Sequence, residues 1–156
     1  MTSREGRLLA LVVLTLLSAG CGDDDDDGVD DQAVLKVEPT DEESVCLQVA
    51  DTLPPEVETL PVTSCDGPHT HEVYATVEAQ DQIFPGVAAL GETAEVKCLE
   101  EFEPFVGASP FDSQLSYSWL VPTLQSWNEE KDHNILCVLM RRDGAPLTGS
   151  MRHTGT

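Results

Sequence analysis

From residue 45 onward the hydrophobic positions follow two periods, one of two residues and one between three and four. Val45 to Ala50 and Val57 to Cys65 are β-type runs. Between them lies Asp51 to Pro55, where Pro54 and Pro55 favour a turn. The stretch His71 to Ala79, HEVYATVEA, alternates. On a regular strand Val73, Ala75 and Val77 share one face, with Glu72, Tyr74, Thr76 and Glu78 opposite. Pro85 and Gly86 break the pattern, and from Glu92 to about Glu103 the period lengthens. Ala94, Cys98 and Phe102 fall at i, i+4 and i+8 with Leu99 beside them, while Glu92, Glu95, Glu100 and Glu101 can face water. A helix is predicted there, with Pro104 as its end. Ser116 to Val121 and Asn134 to Arg141 read as two further strands joined by a loop containing Trp127. The pattern predicts a single α+β domain over residues 45–156, mainly antiparallel strands with one main helix.

The first 44 residues follow other rules. Arg4 and Arg7 precede an apolar run, LLALVVLTLLSA, from Leu8 to Ala19. That run is about a dozen residues, whereas a spanning helix needs roughly 20. A charged start, a short apolar core and small residues form the layout of a secretory signal over residues 1–20. The junction LLSAGC resembles the lipobox of bacterial lipoproteins, with Ser18 in place of the usual Leu. The resemblance implies that Cys21 takes a diacylglyceryl group and that the new amino group is acylated. Two or three acyl chains anchor firmly where one does so marginally. The expected location is the extracytoplasmic face of the cell membrane, held by lipid.

Residues 22–44 carry eleven acids and one base, Lys36. Such a segment buries too little apolar surface to offset its ordering entropy, so residues 21–44 are expected to be a disordered acidic tether. Asp23, Asp25, Asp27 and Gly28 imitate the start of an EF-hand loop. The twelfth position, however, is Val34 rather than the bidentate Glu that calcium requires. Residues 45–156 remain acidic, with 17 acids against five bases. Only Arg141 and Arg142 are adjacent bases, which argues against nucleic acid as a partner.

With Cys21 assigned to lipid, Cys46, Cys65, Cys98 and Cys137 remain, at spacings of 19, 33 and 39 residues. An even count in an exported domain reads as two disulfides, and the absence of close pairs disfavours zinc ribbons and thioredoxin-like sites. Three pairings are possible. The pairing expected here is Cys65–Cys98, which staples the helix to the sheet, with Cys46–Cys137, which ties the first strand to the last.

The landmarks also have an order. CDGPHTHEVYATV from Cys65 is followed by FPG at Phe84, the helix with Cys98, and a Tyr117…Pro122…Trp127 run. A strand with Cys137 and a closing LTGS at Leu147 to Ser150 complete it. Together they resemble the septum-formation domain of actinobacterial cell-envelope proteins over Val45 to Ser150. Ser44 and Val45 stand where that family often has Gly-Asp before its first cysteine. Lys131, Asp132 and His133 stand where it tends to have Gly-Asp-Arg. The resemblance implies a link to cell division or envelope growth and supplies no biochemical activity.

The densest set of reactive side chains is Cys65, Asp66, His69, His71 and Glu72. The two imidazoles are expected to point apart and so not to share a metal. An oxidised Cys65 cannot supply a thiolate, so neither a metal nor another cofactor is expected. The plainer reading is that His69 bonds a turn and Glu72 lies on the solvated face. No G-x-S-x-G elbow and no glycine-rich phosphate loop is present. Trp127 reads as core, whereas Trp119, on the face shared by Tyr117 and Val121, fits either core or a binding groove. The sequence therefore points to a non-enzymatic interaction module with an envelope or division protein as partner. His69, His71, Glu72 and Trp119 are its candidate functional surface. The alternative is a small envelope hydrolase or metal-dependent enzyme using His69, His71 and Glu72.

Overall fold

The computed structural model describes residues 44–49, 53 and 60–156. The signal segment, Cys21, the tether before Ser44, the Pro54–Pro55 turn and residues 57–59 lie outside them. Among the described residues, seven strands and one long helix run in the order β1 (Val45–Leu47), β2 (Val62–Thr63), β3 (Pro68–His69), β4 (His71–Glu78), α1 (Val87–Val106), β5 (Leu115–Leu120), β6 (Asn134–Arg141) and β7 (Leu147–Thr148). Five strands form an antiparallel sheet in the order β2-β1-β4-β6-β5, and β3 with β7 forms a separate two-stranded ribbon. The fold is the small, disulfide-stapled α+β domain that the pattern predicts.

The unbroken apolar run of β6 has a simple cause, since this strand is buried on both faces. Ile135, Cys137 and Leu139 face α1, where Leu90, Ala94, Cys98, Phe102, Phe105 and Val106 come down from the helix. Leu136 and Val138 face the other way, onto Leu47, Leu60, Val73 and Leu120. Tyr117 and Trp119 of β5 extend the helix-side core as half-buried residues. Gly91 lies against the Trp119 indole, where a Cβ would make an ordinary contact of 3.6 Å with its Nε1.

Two local expectations are corrected and a third gains detail. Val73 does not share a face with Ala75 and Val77. A bulge leaves Tyr74 without a partner between the pairs Val73↔Val138 and Ala75↔Cys137. Tyr74 and Ala75 consequently both face the helix, and the alternation shifts phase after Val73. Tyr74 uses its position to donate a 2.6 Å bond to the Cys98 carbonyl. Pro104 does not end α1, which continues to Val106 and stops at Gly107 in a left-handed conformation, φ 85°. A proline inside a helix costs about 3 kcal/mol. Burying Phe105 and Val106 just beyond it returns about 1.5–3 kcal/mol each, so packing wins. Finally, the loop holding Trp127 contains a single π-helical turn, Ser126–Glu130. It buries Trp127 in face-to-face stacking with His133 at 3.9 Å and edge-on to Phe84.

The four described cysteines are all bridged, but the pairing is Cys46–Cys65 and Cys98–Cys137 rather than Cys65–Cys98 and Cys46–Cys137. Sheet order explains the difference. β1 and β6 lie on either side of β4, so their backbones are about 10 Å apart, too far for a disulfide. The β1–β2 pairing sets Cys46 opposite Thr63, which brings Cys65 within reach. The helix is stapled to the sheet, but through β6.

Candidate functional site

The turn after β2 carries the chain through Cys65, Asp66 and Gly67 into β3, which pairs Pro68 with Thr148 and His69 with Leu147. At Thr70 the chain bends out of this ribbon and into β4 of the main sheet. The Thr70 hydroxyl fixes the bend by donating to the Leu47 carbonyl and accepting from the Val49 amide, at 3.0 and 2.9 Å. After β7, Gly149 (φ 74°) turns the chain inward while its amide donates to the Cys65 carbonyl at 2.8 Å. Ser150 and Met151 are thereby delivered to the start of β4.

Under this ribbon lies a buried polar cluster. Glu72 is fully buried, contrary to the solvated position its place in the alternation suggests. The Ser150 hydroxyl donates to Oε1 at 2.5 Å and the Met151 amide to Oε2 at 2.8 Å. The ion pairs among the described residues are Lys97–Glu100 and Arg141–Asp143, so Glu72 has no cationic partner there. A buried charge without one relies on such hydrogen bonds, each worth about 1.5–3 kcal/mol. His69, also fully buried, holds the Gly67 carbonyl through Nδ1 at 2.9 Å. A carbonyl only accepts, so Nδ1 carries a hydrogen, and Nε2 has no hydrogen-bond partner. A ring nitrogen of His69, a carboxylate oxygen of Glu72 and Sγ of Cys46 lie within 4.8 Å of one another.

The four residues expected to share a functional surface do not. His69 and Glu72 come together, and Cys46, which sequence reasoning set aside for a disulfide alone, joins them. His71 stays out of the cluster. Strand alternation is not the reason, because residues two apart on one strand share a face. The bend at Thr70 separates the two imidazoles. His71 is buried on β4 opposite Leu47 and donates through Nδ1 to the Thr70 hydroxyl at 2.9 Å. Burial lowers its pKa below the ordinary histidine value. Trp119 lies on β5, three strands from Cys46, half-buried beside Tyr117. Ser150 and Met151 were missed because their contact with Glu72 spans 78 and 79 residues.

A second feature is open to solvent. Between the C-terminal half of α1 and the loop after it runs a shallow groove lined by Leu99, Glu100, Glu103, Pro104, Pro110 and Phe111. Phe111 projects beside it at 83% exposure.

A family model described as septum formation matches residues 29–137, and the chain belongs to that family. Membership points to a role in cell division or the cell envelope. The match includes β1 to β6 up to Cys137, and the β7–tail segment that seals Glu72 lies beyond it. No curated protein and no solved structure matches the chain. Among the described residues no helix is long and apolar enough to cross a membrane.

Proposed function

We propose that this protein is an extracytoplasmic lipoprotein, anchored through Cys21, whose septum-formation domain acts as a non-enzymatic interaction module in envelope or division complexes. The family match carries the process. The burial of His69, His71 and Glu72 carries the molecular reading, because the residues best suited to acid–base chemistry are shut away from a substrate. The Glu72 carboxylate is moreover committed to holding the tail. Two disulfides suit an oxidising exterior. The partner is an envelope or division protein, and exposed Phe111 and Ile83 offer it apolar contacts on an otherwise acidic surface.

Metabolic labelling with a clickable fatty acid tests the anchor. The wild type should incorporate label and fractionate with membranes, and Cys21→Ala should do neither. Label retained by Cys21→Ala overturns the anchor. Proximity labelling from the domain in its own cell, compared with a Phe111→Ser variant, tests the module. Enrichment of division or envelope proteins that falls with Phe111→Ser is expected. Turnover of an envelope substrate by the purified protein, without any retained partner, overturns the reading.

A further inference from the structure

The cluster under the β3–β7 ribbon contains more ligating capacity than its structural role uses. Holding the tail occupies one lone pair on each Glu72 oxygen, and a carboxylate oxygen has two. His69 donates from Nδ1 to a backbone carbonyl, so in the neutral ring Nε2 is a bare lone pair, buried and unpartnered. That is the arrangement of a metal-binding histidine, in which a carbonyl holds the far N–H and fixes the tautomer. Sγ of Cys46 lies within 4.8 Å of a ring nitrogen of His69 and of a carboxylate oxygen of Glu72, and Cys65 Sγ is bonded to it at 2.03 Å. Zinc ligands at their usual bond lengths stand about 3.3–3.8 Å apart, so Cys46, His69 and Glu72 close on a metal with shifts of about 1 Å, while Cys65 has to swing in from its turn once the bridge is open.

The two disulfides differ in access. Cys98 and Cys137 are both fully buried between helix and sheet, whereas Cys65 is part-exposed in the turn before the ribbon. The Cys46–Cys65 bridge is therefore the nearer of the two to solvent and to an external thiolate.

We infer that Cys46, Cys65, His69 and Glu72 form a zinc-class metal site that the Cys46–Cys65 disulfide holds closed and that reduction by a dithiol opens. The reductant's first thiolate attacks Cys65 Sγ, the S–S bond breaks, and Cys46 departs as a thiolate. The second thiol of the reductant then displaces Cys65 and closes the reductant's own disulfide. Two electrons pass to the protein, leaving two cysteine thiols. Zn²⁺ binding displaces a proton from each thiol, completing a set of two thiolates, one imidazole and one carboxylate.

The test uses the purified full chain. Mild dithiol treatment under native conditions, followed by alkylation and peptide mapping, should modify Cys46 and Cys65 and leave Cys98–Cys137 intact. Reduction of Cys98–Cys137 first would overturn the gating. The reduced protein should then bind one Co²⁺ with a near-ultraviolet thiolate-to-cobalt band, and Zn²⁺ should displace it. Cobalt on the aspartate run gives no such band. The oxidised protein should show none. His69→Ala and Glu72→Gln should each weaken Zn²⁺ binding at least tenfold, and the Cys46→Ala/Cys65→Ala pair should abolish the band. If reduction unfolds the chain, Zn²⁺ should restore its far-ultraviolet circular dichroism. No band, a band insensitive to His69→Ala or surviving Cys46→Ala/Cys65→Ala, or failure of Zn²⁺ to refold an unfolded reduced chain overturns the inference.

Discussion

Glu72 and His71 are neighbours on one strand with opposite duties. Glu72 faces the helix-side layer and holds the C-terminal tail, and Glu72→Ala removes both acceptors at once. A loss of about 2–4 kcal/mol is expected in denaturant unfolding. Trypsin should also cut after Arg152, which is exposed at the end of the segment that Glu72 anchors, faster than in the wild type. His71 is buried with its pKa lowered. Below the ordinary histidine pKa of about 6.5 the unfolded chain takes up a proton that the folded one resists. His71 therefore makes stability fall as pH drops from about 6.5 towards its lower folded value, with no effect above about 7.5. His71→Gln should flatten that limb of the melting temperature against pH, and an unchanged slope would assign it to other groups. The sequence showed that acids and imidazoles crowd this stretch. It did not show which were buried, because the covering residues arrive from the far end of the chain.

Elements with many residues were legible, and elements with few were not. The eight residues of β6 and the main helix declare themselves through period and apolar content, and β6 spans Asn134–Arg141 as the pattern predicts. β3 and β7 have two residues each and gain strand character only from one another, so no local signal marks them. The bulge at Tyr74 was hidden for a related reason: alternation counts residues, and a bulge inserts one that the partner strand does not match. Cysteine pairing depends on strand order, which spacing does not encode. The observed pairing makes the bridges unequal. Cys98–Cys137 closes a 39-residue separation and Cys46–Cys65 a 19-residue one. Loop-closure entropy alone gives the first about 0.6 kcal/mol more stabilisation, and its burial in the core adds to this. Replacing Cys98 and Cys137 by Ala should therefore lower the melting temperature more than replacing Cys46 and Cys65. The reverse order would place the main constraint at the ribbon.

At the scale of the whole molecule, a helix covers one face of the sheet, a small apolar cluster covers the other, and the tail closes the core from below. His153 and Gly155 donate to the Phe105 and Val106 carbonyls, satisfying the end of α1. The first and last described segments meet, with the Ser44 and Ser150 hydroxyls 3.0 Å apart. The Cys46–Cys65 bridge, two residues from Ser44, then has a mechanical meaning. A pull arriving through the N-terminal side passes across the sulfurs and cannot draw out the chain between them. That separation of 19 positions amounts to about 65 Å of extended backbone. While the bridge is intact that length is withheld, and when it is reduced the same load can pay it out. The reach of the domain from its N-terminal side thus depends on the oxidation state of a single bond.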